Sequence, residues 1–406
     1  MDLTELFTES FAAMRRNKLR SFLTLLGIVI GVATLVGVVS VISGLNAFVR
    51  DKLFGLAPDV YVVSKFGIIT SHEAFIEALK RRDLDQDDLD RLASTLRKAE
   101  RVGGAVETRS PVTFGDKRLG GARIDGSTAN YSELLRLDLA EGRFFLDSEA
   151  RAAKAVAVIG WDVKDELFPH LDPIGRTIAI GGVPFRVIGL VTQQGRVLGS
   201  SRDNYVYVPI DAYRQMFGAR DTIDIFIQAS NGVAGLDASV DETRAVLRAL
   251  RHTDFRGDDP FGIVTADALQ TLWKNISAAA FILSVLIASV SLGVGGIVIM
   301  NIMLVAVAER TQEIGLRRAL GARQRDVRRQ FLLEAALLAL VGGALGVGGG
   351  GLISLGVDRI AHFPADLTPG IIVSGLALSV VVGVVAGYWP AVSASRLEVV
   401  DALRSE

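Results

Sequence analysis

Charged side chains vanish from four long stretches of the chain and crowd into the segments between them. Asn275 to Ala308 runs 34 residues without a charge, and Ser21 to Val49, Ala335 to Val357 and Leu367 to Ser395 repeat the pattern. Each exceeds the roughly 18 apolar residues at which a membrane-spanning helix becomes the default reading. At about 1.5 Å per residue the longest would reach about 50 Å, against a hydrocarbon core of about 30 Å, so it is expected to project past the bilayer. Four spans put both termini on one side, and the arginine and lysine bias decides which side that is. Arg15, Arg16, Lys18 and Arg20 precede the first span, and Arg310, Arg317, Arg318, Arg323, Arg325, Arg328 and Arg329 lie between the second and third. Between the third and fourth only Arg359 stands, against Asp358 and Asp366. Both basic clusters and both termini are therefore predicted to be cytoplasmic.

The organisation this predicts is a polytopic α-helical membrane protein with four transmembrane helices and a large α+β extracytoplasmic domain inserted between helices 1 and 2. Leu3, Leu6, Phe7, Phe11 and Met14 recur at helical spacing and mark 1–20 as an amphipathic helix on the cytoplasmic membrane surface, a stripe that would equally dock on a partner protein. Spans follow at 21–49, 273–308 (its outer part a stalk), 331–357 and 367–391. The domain occupies 50–272, as one unit or two subdomains, with a cytoplasmic loop at 309–330, a short outer loop at 358–366 and a cytoplasmic tail at 392–406. The first span is too long for a signal-peptide core and no small-residue cleavage region follows it, so it reads as a retained anchor.

Within the domain, strands are predicted at Val60 to Val63, Ala155 to Ile159, Thr177 to Ile180, Phe185 to Val191, Tyr205 to Val208 and Ile223 to Gln228. Gly181 and Gly182 signal a hairpin between the third and fourth of these, with Pro184 suggesting an edge position. Helical patterns fall around His72 to Arg81, Asp87 to Val102 and Val240 to Arg251.

Composition changes the picture mainly by exclusion. The formal net charge is −1, which gives no sign of a nucleic-acid partner, and the absence of cysteine rules out disulfides and thiolate chemistry. Asp83, Asp85 and Asp87 open like a calcium loop, but Asp88 stands where glycine is needed and Ser94 where a bidentate glutamate is needed. Acids opening a helix, with Arg91, Arg97, Lys98 and Arg101 toward its end, account for the cluster through the helix dipole. His72 and Glu73 start a zinc-protease pattern that Ile76 breaks, and the four histidines show no ligand spacing. No Walker loop occurs in these residues, so no enzyme activity, bound cofactor or metal is expected of them.

The spans are patterned in glycine. Gly27 and Gly31, then Gly342, Gly346 and Gly350, then Gly383 and Gly387 recur every four residues, so each set shares a helix face on which a neighbouring backbone can approach. Asn301 is read as an interhelical hydrogen-bonding residue, and Glu334 as an acid solvated at the cytoplasmic interface. No acid or base lies at mid-depth, which argues against an ion-coupled carrier. Trp273, Tyr388 and Trp389 mark span boundaries at headgroup level.

Three motifs now stand in order: Arg16 to Ala33 (RNKLRSFLTLLGIVIGVA), Glu309 to Ala322 (ERTQEIGLRRALGA), and Gly387 to Ala391 (GYWPA) followed by Leu397 to Arg404 (LEVVDALR). With EGRFF from Glu141, DPIGRT from Asp172 and GVPFRVIG from Gly182, the chain resembles, over essentially its whole length, the MacB/FtsX-like family of ABC transporter permeases. The resemblance implies mechanotransmission. Two permease subunits, as a homodimer or a sister pair, would work with two ATPase subunits that bind ATP-Mg, and nucleotide-driven closure would be relayed to the periplasmic domains. Because some members carry a fused N-terminal ATPase and this chain begins at the surface helix, a separate ABC ATPase subunit is expected. The loop would be the coupling element, with Glu309, Arg310, Glu313, Ile314, Gly315, Arg317, Arg318, Leu320 and Gly321 as its residues; positive-inside topology alone explains its arginines but not the interleaved acids and leucines. A periplasmic adaptor or outer-membrane channel could complete the path, and the resemblance puts the protein in the cytoplasmic (inner) membrane. Lipoprotein release and control of a cell-wall hydrolase are variants that related architectures perform. A membrane-anchored receptor or scaffold signalling to a cytoplasmic regulator, and an external hydrolase on an anchor, are the competing classes.

Overall fold

The computed structural model describes residues 18–48, 56–197, 200–218, 221–254, 257–361, 365, 367–399 and 402. Apart from its last residues, the predicted surface helix at 1–20 lies outside them, as do parts of the outer loop and of the tail. The chain divides into two units, Met1–Phe48 with Lys274–Glu406, and Val49–Trp273.

Helix α1 (Lys18–Phe48) belongs to the first unit. The second is an α+β domain. Its elements run β1 (Val60–Ser64), α2 (His72–Lys80), α3 (Gln86–Thr95), β2 (Ala99–Phe114), β3 (Lys117–Ser127), α4 (Tyr131–Leu134), β4 (Leu139–Gly142), α5 (Asp147–Arg151), β5 (Val156–Ile159) and α6 (Trp161–Leu167). They continue with β6 (Thr177–Ile180), β7 (Val183–Val191), β8 (Arg196–Val197), β9 (Ser200–Ser201), β10 (Tyr205–Pro209), α7 (Ile210–Phe217), β11 (Asp224–Ala229), α8 (Leu236–Leu250) and β12 (Gly262–Thr265). Ten strands form one mixed sheet in the order β12-β1-β11-β2-β3-β10-β5-β7-β4, with β6 pairing β2 and β7; β3–β10 and β5–β7 are parallel and the other pairs antiparallel.

Strand alternation gives the sheet two different faces. Tyr61, Ile124, Val206, Val208, Ile225 and Ile227 point into the main core with Leu89 and Leu92 of α3 and Leu247 of α8. On the opposite face Tyr205 and Tyr207 join Tyr131, Phe144 and Phe145 in a second cluster. The buried Tyr61 hydroxyl ties β1 to α8 through Ser239 Oγ at 2.8 Å and Thr243 Oγ1 at 2.7 Å. Gly181 and Gly182 at φ 55° and 89° make the expected β6–β7 hairpin. β7 is not an edge strand, because β5 and β4 also pair with it; Pro184 sits at the end that only β6 flanks, so its missing N–H breaks no ladder there.

Two helix expectations change. The pattern over Asp87 to Val102 splits: α3 stops at Thr95, and the backbone amides of Arg97 and Lys98 donate to the Glu242 carboxylate of α8, which leads the chain out of the helix and into β2. Arg97, Lys98 and Arg101 therefore lie beyond the helix whose dipole they were expected to complement. The acidic cluster is a cap: the Asp85 side chain accepts from the Asp88 amide at 3.0 Å and Asp88 reaches back to the Asp85 amide, completing a capping box. The α8 helix begins at Leu236, four residues before the predicted Val240, led in by a 3₁₀ turn at Gly232–Gly235.

In the first unit α1 is followed by α9 (Ala266–Glu309), α10 (Thr311–Ala319), α11 (Gln324–Ala361) and α12 (Pro369–Arg396). Helices α1, α9, α11 and α12 are long and apolar enough to cross a membrane, matching the four uncharged stretches. α9 starts directly after β12, in the second unit, and is continuous over 44 residues, about 66 Å at the helical rise. α12 runs through Pro390 to Arg396, beyond the predicted end of the span at 391.

Candidate functional site

The loop between the second and third spans is built around α10. Its N-cap is Arg310, and Gly321, at φ 102°, makes the left-handed turn that releases the chain toward α11, where the Arg323 amide donates to Asp326. Ile314 turns inward and is buried with Val307, Val327 and Phe331. Gly315 is buried too, and a Cβ there would stand 2.7 Å from the Ala402 Cβ. The Arg318 guanidinium donates to the Leu397 carbonyl, while Arg317 bonds Glu313 on its own helix and Gln330 of α11 at 3.0 Å. The loop motif and the C-terminal motif, 79 residues apart between Arg318 and Leu397, are thus one structural feature, the tail clasping α10.

These contacts divide the nine loop residues expected to meet a partner. Ile314 and Gly315 hold the helix in place and offer no surface, and Arg310, Arg317 and Arg318 bond within the chain. Glu309, Glu313, Leu320 and Gly321 face outward. Leu320 is 82% exposed and Leu316, one turn earlier, 54% exposed. Two leucines one turn apart, flanked by Glu309, Glu313, Arg323 and Arg325, form a small apolar patch with a charged rim, the anatomy of a protein-docking surface.

Two polar residues sit differently from expectation. Glu334 is buried rather than solvated, and Arg310 reaches it at 3.4 Å, a bridge from the end of α9 to α11 that desolvation makes dependent on both partners. Asn301 is exposed on α9 and makes no interhelical hydrogen bond among the described residues; Ser277 and Asn46 bridge α9 and α1 instead, 3.0 Å apart. The patterned glycines sit at close helix crossings. A Cβ on Gly27 would lie 2.9 Å from Gly295 Cα, and one on Gly31 2.9 Å from the Leu292 side chain, where α1 meets α9. On α11, Gly342 is buried, Gly346 faces Val32 at 2.7 Å and Gly350 the Ala33 carbonyl at 2.9 Å. On α12, Gly383 and Gly387 each face α11 alanines at 2.4 Å. Tyr388 and Trp389 are exposed, as rings at a membrane boundary would be.

A second site went unseen in the sequence. On the sheet face away from α3 and α8, a cavity of about 800 Å³ is lined by Arg109, Arg123, Tyr131, Tyr205, Asp224 and Phe226, among others. Arg123 Nε lies 3.0 Å from Asp125, whose carboxyl burial pushes up to about 6 against the pull of that guanidinium. Asp224 is likewise pushed up to about 6, by burial and then by Glu107. Burial raises Tyr131, Tyr205 and Tyr207 as well. The signal was the alternation Tyr205-Val-Tyr207-Val and Asp224-Ile-Phe226-Ile, which predicts strands but leaves unsaid that the polar faces converge.

Comparison with known proteins agrees with this architecture. The MacB-like periplasmic core domain family matches residues 21–246, and the FtsX-like permease C-terminal family matches residues 285–399. A macrolide export ATP-binding/permease protein MacB of Bdellovibrio bacteriovorus is 32% identical over 411 residues, covering 100% of this chain and 62% of that protein. A pyoverdine export ATP-binding/permease protein PvdT of Pseudomonas fluorescens is 32% identical, covering 100% of this chain and 60% of its own length. The chain therefore spans less than two thirds of these curated relatives. Among solved structures, the periplasmic region of MacB from Actinobacillus actinomycetemcomitans aligns with 56% of this chain and 98% of its own at a TM-score of 0.46 and 19% identity.

Proposed function

Because the chain belongs to the MacB/FtsX-like family of ABC transporter permeases, we propose that it relays motion from a cytoplasmic ABC ATPase to its extracytoplasmic domain, and so drives export or extraction of a substrate. The ATPase carries the ATP-Mg and docks on the face of α10 that presents Leu316 and Leu320. A second permease subunit completes the transmembrane assembly. Both termini and α10 are cytoplasmic, in keeping with the arginine and lysine bias of the loops. Macrolide and pyoverdine export are named for the relatives; from them we extend only outward transport, which leaves room for an adaptor or outer channel.

The observation that carries this reading is the patch on α10. Its inward side is fixed by Ile314, Gly315 and Arg318, and its outward side leaves 82% of Leu320 in solvent. An apolar pair with a charged rim, held in place from the inner side of the helix, is a surface suited to contact with a partner protein. Affinity purification of the detergent-solubilised protein, with mass spectrometry and an ATPase assay, tests the reading. Wild type is expected to bring down an ATPase, and Leu316→Glu with Leu320→Glu to lose it, since these positions are exposed and their change leaves the fold intact. Recovery of a cytoplasmic regulator with no ATPase from either form would instead support the receptor or scaffold.

A further inference from the structure

We propose that the cavity on the outer sheet face binds a zwitterion, a molecule with an anionic group at one end, a cationic group at the other and an apolar body between. The inference rests on the geometry of the domain alone and goes beyond the transport reading.

The register places two opposite charges four positions apart along β2, one on that strand and the other on its neighbour β11. Arg109 of β2 pairs with Arg123 of β3, which pairs in turn with Tyr205 of β10. Four residues earlier on β2, Ala105 pairs with Asp224 of β11. At about 3.3 Å per residue the two charged positions are about 13 Å apart along the strand. Both line the cavity. The Arg123 guanidinium is engaged by Asp125, but the Arg109 guanidinium and the Asp224 carboxylate have neither an ion pair nor a side-chain hydrogen bond among the described residues.

Each end offers a second recognition element. At the arginine end the Tyr205 hydroxyl, on a residue 2% exposed, has no hydrogen-bond partner among the described residues. A buried hydroxyl left unpaired is costly, and an anion held by Arg109 would accept from it. At the acid end Phe226 stands in T-shaped contact with Tyr131 at 5.0 Å, and Tyr131 leads on to Tyr207 at 5.8 Å. Aromatic faces beside an unpaired carboxylate suit an ammonium group. Phe226 lies just beyond Asp224 along the strands, Tyr207 falls between the two charged levels and Tyr205 is level with Arg109, so the run Phe226, Tyr131, Tyr207, Tyr205 forms an aromatic wall along the cavity, with Val62 and Val264 extending its apolar end. An extended peptide with free termini and about four residues spans about 13 Å and carries this pattern of charge.

The test uses the full chain in lipid nanodiscs without ATP and a pool of tetrapeptides made from alanine, leucine, valine and phenylalanine, with retained species identified by mass spectrometry. Free-termini peptides are expected to be retained, and their N-acetylated and C-amidated forms to bind about tenfold more weakly, the loss of one charge-assisted contact. Arg109→Gln should abolish the difference between free and amidated peptides only, and Asp224→Asn that between free and acetylated peptides only. Tyr205→Phe should weaken retention of the free peptide. No retention of any peptide, equal retention of blocked and free forms, or variants that do not discriminate between the two blocked ends would overturn the proposal. ATPase coupling and transport are not part of the readout, so failure here leaves the permease reading untouched.

Discussion

At Asp224, burial and the nearby Glu107 carboxylate push the carboxyl up to about 6, so the folded domain holds that proton more tightly than the unfolded chain does. The residue's contribution to stability is therefore best below its ordinary unfolded value, declines as pH rises from there to about 6, and is constant above. Asp224→Asn is expected to stabilise the domain by about 1–3 kcal/mol near pH 7.5 and to change nothing near pH 4, read from hydrogen exchange of the β11 amides. In the membrane unit the glycines separate by what surrounds them. A Cβ at Gly383 would meet Ala339 Cβ at 2.4 Å and the Ala335 carbonyl at 2.8 Å, whereas Gly348 on α11 has nothing within 4 Å. Gly383→Val should lower the melting temperature in detergent, at a cost of about 1–3 kcal/mol for overpacking, and Gly348→Ala should leave it unchanged or raise it. Equal effects would mean that the close crossing does not govern which of these glycines tolerate a side chain.

The elements differ in how openly the sequence displayed them. The spans were legible because loss of charge over more than 18 or so residues has few other causes, and the β6–β7 hairpin because paired glycines supplied its turn. The longest strands, β2 and β3, were missed. Their sequences interleave Arg, Glu, Gly and Pro, residues that strands disfavour, and Arg97 to Arg101 mimic the charged face of a helix. Tertiary packing explains those glycines: a Cβ at Gly103 would strike Leu134 at 2.6 Å, and one at Gly126 would strike Tyr213 at 2.5 Å. The sheet needs bare backbone where α4 and α7 press on it, a requirement visible only once they are placed. The loop around α10 was legible as a motif, but which of its residues face out was not, because the clasp by Leu397 and Ala402 comes from the far end of the chain. Within the domain, Asp88 both caps α3 and pairs with Arg251 at 2.8 Å, with both side chains buried. Asp88→Ala is expected to cost about 3–5 kcal/mol, measured by denaturant unfolding, by stranding a buried guanidinium.

For the whole molecule, the proposal is that ATP-driven movement at α10 reaches the extracytoplasmic domain along α9, which is continuous from the residue after β12 to the residue before Arg310. Two glycines placed at Ile276 and Ala279 would each cost about 1 kcal/mol of helix stability and add a flexible point. They should leave ATPase binding intact while separating ATP hydrolysis from transport. The most direct measurement is hydrogen exchange in the extracytoplasmic domain of the membrane-reconstituted complex, with its ATPase, in the presence and absence of ATP. ATP should change exchange in the domain of wild type, and not in the double-glycine form or in the Leu316→Glu, Leu320→Glu form. A domain whose exchange ignores ATP while the ATPase is bound and turning over would contradict the transmission of motion.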